Sequence, residues 1–139
     1  MSEEFRADLI QEGLPADEID QRIERSRKRI TNAPVVIVLC MDESEMDVYP
    51  DARRQQAETT MAVQSVAMAG LQLLLAAHAE GLGAVWTCGP LFAPNAVRAT
   101  LSLPETWSPQ ALILLGYPDE TPKIKEMKDF HDLVMFFDR

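Results

Sequence analysis

The chain has 139 residues, of which 47% are hydrophobic and 25% charged, and its formal net charge at pH 7 is −9. This composition indicates one folded globular domain with a sizeable core and excludes a disordered chain. The negative charge argues against a nucleic-acid binder and against a protein that binds an anionic membrane surface.

The two cysteines, Cys40 and Cys88, are too few for a disulfide framework and have no CxxC spacing, so we expect a reducing, cytoplasmic location. The acidic N-terminus has no signal-peptide core. No uninterrupted apolar run reaches the roughly 18 residues of a membrane span, so no span is expected. His78 has no second metal ligand near it in the sequence, and no metal site is predicted.

Two helices are predicted at the start of the chain, so that residues 1–32 form a helical lead-in. The first covers 3–12 and ends at Gly13, and the second opens at Pro15 with acidic residues in its first turn. The second helix ends in a basic cluster, made of Arg25, Arg27, Lys28 and Arg29. This cluster either binds phosphate or is a solvated helix end that suits the helix dipole, and the solvated end is the favoured interpretation.

A strand and a long helix follow. The continuous apolar run 35–40 is typical of a strand covered on both faces. Asp51 is the predicted N-cap of a helix that continues to about Glu80. From Met61 to Ala79 this helix is apolar on nearly every face and is expected to be buried all round. A domain of this size cannot cover such a helix alone, so we expect an obligate homodimer.

The elements after this helix are short. The pattern predicts a strand over 84–87, a polar loop over 87–90, a helix over 94–101, a loop over 103–109 and a buried strand over 110–116. The tail carries Lys123 and Lys125 and then the apolar run Leu133–Phe137, which needs its own core or a partner subunit to pack on.

The order of several short motifs resembles the FMN-dependent nitroreductase superfamily over about residues 33–122. The resemblance rests on residues 72–78, Gly81-Leu82-Gly83, Trp86, residues 89–92, Leu103-Pro104-Glu105-x-Trp107 and Gly116-Tyr117-Pro118. Within the superfamily, residues 49–53 and the helix before Ala33 look most similar to the nitroreductase-like domain of coenzyme F-420 glutamyl ligase. The resemblance implies an α+β fold with an antiparallel-rich sheet flanked by helices, in an intertwined homodimer with FMN at its interface.

The resemblance also implies the site and the reaction. Thr87, Cys88, Gly89 and Pro90 match the loop that faces the flavin ring, and Lys123 and Lys125 match positions that contact the FMN phosphate. Tyr49 and Arg53 match the border of the pocket. The implied activity is an FMN-dependent NAD(P)H oxidoreductase that reduces a flat electron-poor acceptor, such as a nitroaromatic or a quinone, by ping-pong hydride transfer. No side chain is expected to act as a catalytic nucleophile.

One departure from the family pattern leaves alternatives open. Nothing before Ala33 matches the Arg-x-Ser helix that holds the FMN phosphate in the family, because Arg25-Ser26-Arg27 lies in a segment that aligns with a later helix. The chain therefore resembles an N-terminally truncated member. An F-420-related reductase domain, or a non-catalytic dimer with weak or no flavin binding, are the two alternatives.

Overall fold

The computed structural model describes residues 2–119 and 126–137 and has an α+β fold, a small antiparallel sheet with helices around it. The elements in chain order are α1 (Ser2–Gln11), α2 (Ala16–Thr31), β1 (Val35–Asp42), α3 (Ala52–Ala79), β2 (Gly83–Thr87), α4 (Gly89–Phe92), α5 (Pro94–Leu101), β3 (Trp107–Gly116) and a 3-10 turn (Phe130–Asp132).

β3 is the central strand of a three-stranded sheet with the order β1-β3-β2, and both pairs are antiparallel. Ile113 pairs with Ile37 on one side and with Trp86 on the other. Ile113 and Ala111 have no exposed surface. The buried strand predicted over 110–116 is confirmed, because an apolar run with a strand on either side loses its contact with water.

β3 begins three residues earlier than predicted, at Trp107, within the segment expected to be a loop. The predicted loop over 103–109 is therefore wrong for its last three residues, Trp107, Ser108 and Pro109. Pro109 pairs with Cys40 next to a register shift between Leu39 and Cys40, and β2 does not reach this end of β3. A proline is tolerated there because one side of the strand carries no ladder and the other is already irregular.

β1 is an edge strand, and within a single chain it is not covered on both faces as predicted. Val35 is 48% exposed, and of the eight residues in this strand only Met41 is buried. Among the residues that the structure describes, no strand pairs with the outer edge of β1, and the apolar residues at the start of this strand are also exposed.

The predicted bounds and N-cap of α3 are confirmed. The Asp51 carboxylate accepts a hydrogen bond from the Arg54 backbone N–H at 3.0 Å, which satisfies a donor of the first turn. Gly70 brings this helix close to the sheet: a Cβ atom at Gly70 would lie 2.2 Å from the Trp86 ring and 2.7 Å from Leu39. The absence of a side chain at Gly70 therefore sets the distance between α3 and the sheet.

A single chain leaves most of α3 uncovered, and the burial of this helix on every face in a homodimer stays a prediction. Only Gly70 and Ala77 are buried in it, and His78 is exposed. Large apolar side chains lie on its open face, namely Met61, Val63, Met68, Leu71 and Leu75. By length and composition α3 could also cross a membrane, although a core helix of a soluble protein meets the same criterion.

α1 and α2 form a helical hairpin at the start of the chain, as predicted. Gly13, with φ +76°, adopts the left-handed conformation that ends α1. Leu9 and Ile19 are buried, and Arg6 pairs with Asp20 at 2.6 Å. At the other end, the described tail residues Leu133–Phe137 are not buried. The chain's own core does not cover them, which leaves the partner subunit as the predicted alternative.

Candidate functional site

β2 runs directly into α4, and the predicted polar loop 87–90 is in fact a strand end followed by a helical turn. Thr87 is the last residue of β2, Cys88 is the N-cap of α4, and Gly89 and Pro90 form the first turn of α4. The turn forms because Pro90 fixes a helical φ where no amide donor is required, and Leu91 N–H donates to Cys88 C=O at 3.0 Å.

A cavity of about 410 Å³ lies against this strand end, within the size range of small-molecule sites. It is lined by one residue set from α1 and the residue that follows it (Ser2, Phe5, Asp8, Leu9, Glu12), one from α2 (Ser26, Ile30) and one from the β2-α4 junction (Thr87, Cys88, Gly89, Phe92). Three of the four predicted flavin-facing residues therefore lie together on one cavity wall. Pro90, the fourth, is buried in α4 and does not line the cavity.

Cys88 is exposed at the start of α4. Its sulfur accepts a hydrogen bond from the Trp86 indole N–H at 3.2 Å, which links the end of β2 to the start of α4. Cys40 is half-buried in β1, and burial raises the pKa of its thiol. Cys40 is therefore less reactive than an ordinary cysteine at neutral pH.

The other predicted site residues lie elsewhere. Lys123 and Lys125 are outside the described residues. Tyr49 and Arg53 do not line the cavity: the Tyr49 ring lies under the Arg54 guanidinium at 5.2 Å, and its backbone N–H donates to Gln55 Oε1 at 2.9 Å. This pair belongs to the start of α3.

The apolar wall supplied by the helical hairpin is the part of the site that sequence reasoning missed. Phe5, Leu9 and Ile30 face the strand end across the cavity. In the sequence, Ile30 belongs to a helical apolar stripe with Ile19 and Ile23, a signal that marks a packing face but does not name the element it faces.

The comparisons with known proteins agree on one family. The family model described as "Nitroreductase family" matches residues 2–117. A Methanothermobacter thermautotrophicus protein, described provisionally as an NADH dehydrogenase/NAD(P)H nitroreductase, is 37% identical over 102 residues, which are 72% of this chain and 48% of that protein. The NADPH-flavin oxidoreductase of Vibrio harveyi is 30% identical over 156 aligned positions, covering 96% of this chain and 65% of that protein.

The fold is also found among solved structures. A nitroreductase-like family protein from Bacillus cereus matches with a TM-score of 0.64 at 19% identity, over 98% of this chain and 67% of that chain. The chain thus spans about half to two thirds of the length of these relatives. Since the family model covers all the described elements up to the end of β3, the chain belongs to the nitroreductase family.

Proposed function

We propose that the chain is an FMN-dependent NAD(P)H oxidoreductase that reduces a flat, electron-poor acceptor and works as a cytoplasmic homodimer. The observation that carries the proposal is the cavity at the β2-α4 junction, where Thr87, Cys88 and Gly89 lie on one wall of a chain that belongs to the nitroreductase family. The flavin named in the description of the Vibrio harveyi relative supports the cofactor class.

The cavity fits a flavin ring in size and in chemistry. Its walls carry the apolar side chains of Phe5, Leu9, Ile30 and Phe92, which suit a flat aromatic ring. Gly89 has no side chain, so a ring can approach the backbone closely at this point. Thr87 and Cys88 provide the polar groups that a heterocycle needs for orientation.

Bound flavin would supply the hydride chemistry, exchanging electrons between NAD(P)H and the acceptor in a ping-pong cycle. The residues of this chain would bind and orient the reactants rather than attack them. The apolar walls exclude water, and backbone N–H groups at the junction would stabilise negative charge on the ring. Lys123 and Lys125 would contribute positive charge toward the phosphate group.

The dimer is proposed from two apolar surfaces that one chain leaves uncovered. The open face of α3 carries Met68, Leu71 and Leu75, and the tail carries Leu133–Phe137. An exposed apolar area of this extent indicates an interaction surface. A second copy is the partner that supplies a matching helix, because a two-fold axis places the same apolar face on both sides of the contact.

The colour and the activity of the purified chain test the proposal. After incubation with FMN and gel filtration, we expect a yellow protein that oxidises NAD(P)H in the presence of a quinone or nitroaromatic. A yellow protein that oxidises reduced F-420 but not NAD(P)H would identify the F-420-related alternative. A colourless folded dimer would contradict the proposal and support the non-catalytic alternative.

A further inference from the structure

One face of α2 turns two residues of the basic cluster, Arg25 and Arg29, toward the candidate site. Arg22, Arg25, Ser26 and Arg29 have helical spacings of three and four residues, so they lie along one side of the helix. These four residues line a groove of about 240 Å³ together with Thr87, the last residue of β2. Thr87 and Ser26 also line the larger cavity, so the groove and the cavity are neighbours that share a wall.

The basic residues of α2 divide into two groups according to their ion pairs. Arg27 and Lys28 pair with Glu24 at 3.0 and 3.6 Å, and neither lines the groove. Arg22 does line it, but its guanidinium pairs with Glu18 at 2.7 Å. Among the described residues, Arg25 and Arg29 form no ion pair. Their charges are therefore available to a ligand in the groove.

The charge of the groove contrasts with that of the molecule. The chain carries a formal net charge of −9, yet none of the aspartates and glutamates that the structure describes lines the groove. The cavity's acidic residues are Asp8, in α1, and Glu12, directly after it, and neither lines the groove. A ligand with an apolar ring and one anionic end would thus find a cationic partner for that end on the α2 side. The groove offers two guanidinium groups and two hydroxyls, which can donate hydrogen bonds to the oxygens of a phosphoryl group.

We propose that Arg25 and Arg29, with Ser26 and Thr87, form a phosphoryl-binding groove for the ligand held in the adjacent cavity. This inference rests on the proposed function, since that function supplies a phosphate-bearing ligand. Both the FMN phosphate and the phosphates of a pyridine nucleotide have this chemistry. The favoured sequence interpretation, a solvated helix end, then holds for Arg27 and Lys28 and fails for Arg25 and Arg29.

The test compares two double variants of the same helix. Arg25→Gln with Arg29→Gln removes the groove charges, and Arg27→Gln with Lys28→Gln removes an equal charge from the face that pairs with Glu24. The titrations use FMN, riboflavin, NADPH and NADH. The double substitution Lys123→Ala with Lys125→Ala serves as a third arm, because those lysines are the proposed phosphate partners in the tail.

If the groove holds the FMN phosphate, the Arg25/Arg29 variant binds FMN about tenfold or more weakly and binds riboflavin unchanged. If the groove holds a phosphate of a pyridine nucleotide, the Arg25/Arg29 variant binds FMN unchanged and binds NADPH or NADH about tenfold more weakly. In both cases the Arg27/Lys28 variant behaves as the unmodified protein does. Equal effects of the Arg25/Arg29 and Arg27/Lys28 variants on ligand binding, or no effect of either, would contradict the proposed phosphoryl-binding groove. A loss confined to the Lys123/Lys125 variant would assign the phosphate to the tail instead.

Inorganic phosphate provides an arm that does not depend on flavin. It is expected to raise the melting temperature of the unmodified protein and of the Arg27/Lys28 variant more than that of the Arg25/Arg29 variant. An equal rise in all three proteins would refute the groove even where flavin binds. A difference in this arm together with no flavin binding would retain the groove and reject the proposed cofactor.

Discussion

Gly89 lies at the point where the cavity meets the backbone of α4, and in the proposed function its missing side chain lets a flat ring approach. Gly89→Val places a branched side chain in that space. We expect the variant to lose FMN binding while its far-ultraviolet circular dichroism stays that of the unmodified protein. Absorbance near 450 nm after gel filtration gives the occupancy, on the order of one FMN per unmodified chain.

Leu91→Val is the matched control for this substitution. Leu91 lies in the same short helix and is exposed, but it does not line the cavity. The control is expected to retain FMN. Full FMN occupancy in Gly89→Val would place the flavin away from the β2-α4 junction.

Gly70 has a different role, since it sets the packing of α3 against the sheet. Gly70→Ala would improve helix propensity by roughly 0.8–1.0 kcal/mol, but its Cβ would overlap the Trp86 ring. Overpacking of this kind costs typically about 1–3 kcal/mol, so we expect a net loss of stability. Urea unfolding followed by tryptophan fluorescence measures it. Ser65→Ala, at an exposed position of α3, is the control and should be neutral or slightly stabilising.

At the scale of elements, the start of α3 depends on the ionised Asp51 carboxylate. The hydrogen bond from the Arg54 backbone N–H, followed by that from its side chain, holds the pKa of Asp51 below its ordinary value. A lowered pKa in the folded state means that this stabilisation is present above the ordinary aspartate pKa and is lost as the pH falls through the folded value.

Asp51→Asn removes the negative charge but keeps a capping side chain, because asparagine also caps helices and does not titrate in this range. Near neutral pH the variant should melt at a lower temperature than the unmodified protein. The difference should shrink as the pH is lowered into the acidic range where Asp51 becomes protonated. A difference that is constant with pH would show that the Asp51 charge contributes nothing to the cap.

The elements that sequence patterns could predict are those whose signals are local. The N-cap at Asp51, the left-handed Gly13 and the apolar run in β3 each depend on a few neighbouring residues, and the structure shows all three. The start of β3 at Trp107 was missed because the tolerance for Pro109 depends on where β2 ends. That is a tertiary property, which a proline in the sequence does not reveal.

The residues of the candidate site also divide into those that a sequence pattern marks and those that only the tertiary structure brings together. The junction residues Thr87, Cys88 and Gly89 could be identified from the chain, because a family pattern marks them in sequence order. The facing wall, with Phe5 and Ile30, comes from helices more than fifty positions away in the chain. Helical periodicity identifies an apolar face but not its partner, so the packing of α2 against the β2 end could not be foreseen.

At the scale of the whole molecule, the apolar surface that the described residues leave exposed lies mainly on α3 and on the tail residues Leu133–Phe137. The sheet has three strands and a long helix packed on it, which is too little material to cover a helix of 28 residues. We expect a chain with such a surface to associate, and the free energy of burying that surface would then stabilise the proposed dimer rather than the single chain. We therefore expect that both the stability and the oligomeric state change with the protein concentration.

Leu75→Glu tests whether α3 forms the interface between the two copies. Leu75 is 61% exposed in one chain, so a carboxylate there is tolerated in the monomer but would be buried without a partner in the dimer. Sedimentation at micromolar concentration should give twice 15.6 kDa for the unmodified protein and 15.6 kDa for the variant. Ile10→Glu introduces the same charge on α1 at a position with 59% exposure and should leave the dimer intact. A stable unmodified monomer would remove the dimer from the proposed function, and a dimeric Leu75→Glu would move the interface away from α3.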